Sequence, residues 1–225
     1  MSFDRVARSY RLLETIAFGQ SLQRARIHYF DQIPPPKRAL IVGEGNGRFL
    51  CELLQTHPKI DIDCVDSSAR MLELARARIY RDHFESLSQL RFIHADFLKW
   101  SPSDSYDLVV THFFLDCFQR DVISAIVDKL SRAATFDANW LLADFAIPPS
   151  GTLSRLQAKF WLRAMYLFFR GVAGITALEL VDPSPFLKAH GFAPVLQHSW
   201  RAGMLKSELW RRTEQITDRE TAPGS

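Results

Sequence analysis

The chain has 225 residues, 47% hydrophobic and 24% charged, a composition that fits one globular domain with a central sheet and leaves little room for two. A net charge of +3, with 28 basic and 25 acidic side chains interspersed, excludes a nucleic-acid footprint based on charge. Cys51, Cys64 and Cys117 stand far apart in apolar segments, which speaks against a disulfide or zinc framework and for reduced thiols in a cytoplasmic protein.

The N-terminal stretch "MSFDRVARSYRLLE" lacks the apolar core of a signal peptide, and no run of about 18 uncharged apolar residues follows. From Phe3 to Asp31 apolar residues recur at helical spacing, Val6, Tyr10, Leu13 and Ala17, then Leu22, Ala25 and Tyr29. Two helices broken near Gly19 are expected, closed by "IPPP"; residues 1–36 form a helical cap in this reading.

Residues 37–148 alternate short β-rich runs with helical patterns: "RALIVG", a helix from Gly47, "IDIDCVD", a helix from Ser68, "LRFIHAD", "YDLVVTHFF", a helix from Arg120, and "NWLLADFA". That alternation predicts an α/β fold, a mostly parallel sheet doubly wound by helices. Residues 149–191 read as a helical region, residues 192–212 as a terminal hairpin with its turn at "RAG", and residues 213–225 as a loose tail.

The informative stretch is "ALIVGEGNGRFL", Ala39 to Leu50. A glycine turn between strand and helix exposes bare backbone and unpaired amides to a ligand. The dinucleotide pattern needs Gly-x-Gly-x-x-Gly, and here Gly43, Gly45 and Gly47 leave Arg48 where the third glycine belongs. Asp66 ends the next strand, nineteen residues after Gly47, where a carboxylate can accept two ribose hydroxyls. Asp96 ends the third strand with Phe97 beside it, an acceptor and a ring face suited to adenine. A helix cap at Asp66 and a turn at Asp96 are the competing uses.

Gly43-Glu44-Gly45-Asn46-Gly47, Asp66, Ala95-Asp96-Phe97 and "YDLVVTHFF", in this order, resemble the motifs of class I S-adenosylmethionine-dependent methyltransferases over residues 38–148. The resemblance implies a Rossmann-like sheet of seven strands with an antiparallel last strand, and S-adenosylmethionine as cofactor. It places Gly43, Gly45 and Asn46 at the methionine part, Asp66 and Ser67 at the ribose, and Met71, Asp96 and Phe97 at the adenine. Thr111 and His112 then end strand four beside the sulfonium. Glu44 stands where Asp or Cys is more usual, and is expected near the cofactor's ammonium. "FDRVARSY" is similar to the opening of quinone-biosynthesis C-methyltransferases, which adds Tyr10.

The implied chemistry needs alignment of donor and acceptor and no metal. A base serves acceptors that hold their proton, and His112 is the residue placed for it, with Asp116 and Cys117 nearby and His28 and Tyr29 further off. Asp116 also reads as a cap for the following helix, and His94 as a satisfied core residue. In "GTLSRLQAKFWLRAMYLFFRGVAGI" a wide aromatic face, with Trp161 and Met165 on it, is the expected lid, and Phe113, Phe114 and Phe118 face the same acceptor. Its basic stripe of Arg155, Lys159 and Arg163 also suits a membrane surface.

The expected activity is methyl transfer to a small, hydrophobic, aromatic or lipid-like acceptor, through oxygen or carbon. A nicotinamide-dependent oxidoreductase and a non-catalytic cofactor-binding subunit are the alternatives. Oligomeric state has no signature in this sequence.

Overall fold

The computed structural model describes residues 20–146 and 180–213. Strand β1, Arg38–Val42, is buried over its last four residues, as a strand covered on both faces must be. Helix α1, Ser21–Ile27, and a 3-10 turn at Phe30–Gln32 lead into it, so the second of the two expected N-terminal helices is present and stops before the prolines. The first lies outside the described residues.

After β1 come α2, Arg48–Thr56, β2, Asp61–Asp66, α3, Ala69–Asp82, β3, Leu90–His94, and β4, Tyr106–His112. Then follow α4, Arg120–Ala133, β5, Ala134–Phe145, α5, Ser184–Ala189, β6, Phe192–Trp200, and β7, Leu205–Arg212. Local chemistry explains several boundaries. Ser68 caps α3 by accepting the Met71 amide at 3.2 Å. Gly191 follows α5 with φ of 80°, a left-handed residue where the helix gives way to β6.

The seven strands form one sheet in the order β3-β2-β1-β4-β5-β7-β6. The pairs among β1 to β5 are parallel, and β7 runs antiparallel to both neighbours, which makes the expected hairpin with β6. Strand β5 is longer than the expected "NWLLADFA". It begins at Ala134, and its pairing with β4 jumps from Tyr106↔Ala134 to Leu108↔Asn139, so the intervening "TFDA" is irregular, with Phe136 exposed.

Alternation along the strands divides the core in two. Leu40, Val42, Val109, Trp140 and Trp210 face α4 and α5 through Ile126, Leu130 and Leu187. Ala39, Ile41, Leu108, Val110 and Leu141 face α2 and α3 through Phe49, Leu53 and Ile79. Strand order reverses between β1 and β4, so the connections leave to opposite sides and open a crevice at the strands' carboxyl ends. Among the described residues no helix is long and apolar enough to cross a membrane.

Candidate cofactor and acceptor site

A cavity of about 210 Å³ lies at that crevice, far above the roughly 10–15 Å³ that one water needs. The glycine loop forms its floor with Gly43, Glu44, Gly45 and Asn46. Gly45 has φ of 73°, and a Cβ built there meets nothing within 4 Å, so the loop's bare backbone borders open space. Gly47 has a different task. It precedes α2 with φ of 80°, and a Cβ would come within 2.8 Å of the Ala75 backbone, so its bareness lets α2 start against α3.

Asp66 is 8% exposed and holds the loop to the next strand: Oδ2 accepts the Gly45 amide at 3.1 Å and Oδ1 the Ser68 amide at 2.9 Å. The helix cap is Ser68 rather than Asp66. Ser67 and Met71 line the same wall, and Asp96 and Phe97 the next one. Asp96 Oδ1 accepts the Leu98 amide at 3.0 Å, so the turn reading and the cavity position hold together. The loop after Asp96 is tied down by Lys129, whose ammonium donates to the carbonyls of Phe97, Leu98 and Trp100 at 3.0, 2.9 and 2.7 Å.

Strand β4 supplies His112, 5% exposed, and the turn beyond it supplies Phe113, Phe114, Cys117 and Phe118 to the far wall. Phe113 adopts φ of 54°, a conformation that costs a bulky residue about 1–3 kcal/mol, and its amide donates to the Ala143 carbonyl at 2.7 Å. Burial, with the charge of Arg26, pushes the His112 pKa well below its ordinary value, so the ring is neutral; its Nδ1 is buried without a partner. A base depressed that far has little driving force for proton abstraction.

Glu44 is capping as well as lining. Its Oε1 accepts the Phe49 and Leu50 amides at 3.1 and 3.2 Å, satisfying two donors of the first turn of α2. Burial pushes its pKa up to about 7, against the pull of Arg26 and these amides, and the Asp66 charge adds to the rise.

Other expectations need correction. Thr111 does not line the cavity; it is fully buried on the opposite face of β4, where Oγ1 accepts the Trp140 indole N–H at 2.8 Å. His94 is exposed rather than core, with Nε2 3.2 Å from the Ser67 carbonyl oxygen. Asp116 is buried in a 3-10 turn, Leu115–Cys117, and no side chain caps α4. His28 and Tyr29 pack on each other away from the cavity, with His28 also against His198 and Trp200. Tyr10, Trp161 and Met165 lie outside the described residues, as do residues 149–179 of the lid expected over 149–191 and residues 214–225 of the tail expected over 213–225.

Arg26 is the charged cavity residue that sequence reasoning missed, beside apolar ones such as Val42, Val65 and Leu98. It stands on α1 with its guanidinium 5.1 Å from the Phe113 ring centre, near enough to act on both Glu44 and His112. The available signal is a charge set into an apolar stripe, four residues after Leu22 and three before Tyr29.

A floor of bare backbone, an acid at the end of β2 and an acid with a ring after β3 meet at one cavity where successive strands end. Residues 39–135 match the family model described as "Methyltransferase domain". Residues 39–135 belong to a class I S-adenosylmethionine-dependent methyltransferase domain.

The methyltransferase domain has curated and structural relatives at modest identity. Trans-aconitate 2-methyltransferase of Azoarcus sp. (strain BH72) is 25% identical over 211 residues, 90% of this chain and 72% of that protein. Among solved structures, mitomycin 7-O-methyltransferase MmcR superposes with a TM-score of 0.67 at 17% identity, over 95% of this chain. The chain spans 61% of the length of that structure. The 1,6-didemethyltoxoflavin-N1-methyltransferase of Burkholderia thailandensis, solved with its acceptor and S-adenosylhomocysteine, has a TM-score of 0.64 at 14% identity, over 94% of this chain and 86% of its own. The methyltransferase fold and its typical cofactor thereby replace the nicotinamide alternative.

Proposed function

We propose that this chain transfers the methyl group of S-adenosylmethionine to a small hydrophobic acceptor, through oxygen or carbon. The observation that carries the reading is the division of the cavity. Its polar side is the glycine loop with Asp66, Ser67 and Asp96, and its apolar side is Phe113, Phe114 and Phe118.

The residues fit the cofactor. The open space at Gly45 admits a ligand against backbone, Asp66 and Ser67 would take the ribose, and Met71, Asp96 and Phe97 the adenine. Glu44, Arg26 and His112 would meet the amino-acid end, where an anion and a cation suit an ammonium and a carboxylate. When bound, the cofactor supplies a methyl already activated on a sulfonium. The chain then has to orient the acceptor, exclude water and dispose of any proton. Aromatic faces also favour a cation near them, which suits the Phe113 and Phe114 wall.

The relatives' named activities, on oxygen or nitrogen of small molecules and on trans-aconitate, support the acceptor's size class and leave its polarity open. The test is incubation with methyl-labelled S-adenosylmethionine and a panel of phenols, hydroxyquinones, carboxylic acids and amines. Labelled product from hydrophobic hydroxyl compounds is expected. Label confined to amines contradicts the acceptor class, and cofactor binding with no labelled product from any member of the panel favours a binding subunit.

A further inference from the structure

Behind the aromatic wall lies a group of buried carboxyls that cofactor binding does not use. The turn after β4 is joined to the end of β5, where the Phe113 amide donates to the Ala143 carbonyl at 2.7 Å; the Phe145 amide favours the charged form of Asp116, and the Phe114 amide that of Asp144. Asp116 and Asp144 are 7% and 2% exposed, and Asp144 Oδ1 is buried without a partner. The cation opposite Asp144 in the strand register is Lys206, 9% exposed, but it also serves Glu208 at 3.2 Å and Asp182 at 3.5 Å. Glu208 is itself buried and holds the Trp210 indole N–H.

Two buried carboxyls, Asp144 and Glu208, therefore draw on one buried ammonium that Asp182 shares from the surface, and Asp116 has no part of it. Burying uncompensated charge is costly enough that such a group keeps a proton instead. Burial pushes Asp116 up to about 6, and burial with the Asp116 charge raises Asp144 well above the ordinary range, so the two titrate as a pair.

One side chain links this pair to the cavity. Cys117 lines the cavity, and its thiol lies 3.5 Å from Asp116 Oδ1, donating to it. Burial, then the charges of Asp116 and Asp144, push the thiol well above its usual pKa, so it remains S–H and can give one proton as it takes another.

We infer that Asp116, backed by Asp144, receives the acceptor's proton through the Cys117 thiol, and that the acceptor is therefore a hydroxyl compound of phenol or enol type. This rests on the methyl-transfer reading above. In the step, the acceptor oxygen forms its bond to the methyl carbon while the carbon–sulfur bond breaks, its electron pair staying on sulfur. The hydroxyl proton passes to Cys117 Sγ as the Cys117 proton passes to Asp116 Oδ1. The thiol is restored, nothing is oxidised or reduced, and Asp116 later loses its proton to solvent.

The test compares wild type with Asp116→Asn, Asp144→Asn and Cys117→Ala. S-adenosylhomocysteine affinity by calorimetry should stay within about two-fold in all three. With a phenolic acceptor, Asp116→Asn and Cys117→Ala should lose roughly 100-fold or more in kcat, the scale of a missing base, with KM little changed. The acidic limb of the wild-type pH profile, near 6, should vanish in Asp116→Asn and persist near 6 in Asp144→Asn, because Asp144 is still protonated when Asp116 titrates. Without cofactor, site-resolved alkylation of Cys117 at pH 8 should be several-fold faster in Asp116→Asn, because the neighbouring charge no longer opposes the thiolate. Wild-type kcat and pH profile in Asp116→Asn, or an unchanged alkylation rate, overturn the relay alone. Failure of wild type to bind S-adenosylhomocysteine overturns the methyl-transfer reading and the relay with it.

Discussion

Glu44 caps the helix that follows its own loop, with Oε1 accepting the Phe49 amide at 3.1 Å. It does so while fully buried, so its charge is held against a desolvation cost that raises its pKa from 4.5 to about 7. Between those values the folded protein binds more protons than the unfolded chain, so Glu44 removes stability as pH rises from about 4.5 to about 7, and the loss persists above. Glu44→Gln keeps an acceptor oxygen for Phe49 and Leu50 and removes this dependence. The cofactor-free variant should be more stable than wild type at pH 8 by on the order of 3 kcal/mol, and equal to it near pH 4. S-adenosylhomocysteine should bind it several-fold more weakly. Denaturant melts at both pH values and calorimetry measure the two halves of this trade; lower stability at pH 8 contradicts it.

Lys129 acts on the cavity wall of Asp96 and Phe97 from behind. Its ammonium gathers three carbonyls of residues 97 to 100 and lies 5.3 Å from the Phe97 ring centre. Lys129→Met preserves much of the stem's packing and releases the loop. S-adenosylhomocysteine affinity should fall about 10-fold, the scale of one charge-assisted hydrogen bond. An unchanged dissociation constant would show that Asp96 and Phe97 hold their places unaided.

Gly47 tests the packing beneath the loop. An alanine there meets both a left-handed φ of 80° and the Ala75 backbone at 2.8 Å, and neither can be relieved by rotating a side chain. Gly47→Ala should cost about 2 kcal/mol or more, a fall of about 5 °C in melting temperature for a chain of this size. A shift below 1 °C would mean that α2 and α3 separate freely.

Much of this architecture is legible from local signals. The β1 turn, Asp66 and Asp96 sit at strand ends, and their spacing alone brings them to one edge once the sheet is parallel. Thr111 was not legible, because adjacent residues of β4 face opposite sides and only the pairing with Trp140's strand decides which one turns inward. Arg26 comes from outside the sheet, and its place depends on how α1 packs over the finished core. Asp116 read as a helix cap because its partner, the Phe145 amide, is far away in sequence. Long-range polar pairing of this kind leaves no periodicity to read.

The central claim is that Asp66, joining the glycine loop to β2, makes this cavity a S-adenosylmethionine site. Calorimetric titration of S-adenosylhomocysteine into wild type and Asp66→Ala, with circular dichroism confirming the fold of each, tests it most directly. One site per chain is predicted for wild type, and loss of two charge-assisted hydrogen bonds should weaken Asp66→Ala by roughly 100-fold or more. Equal affinity in the folded variant, or no binding to wild type, would contradict the account.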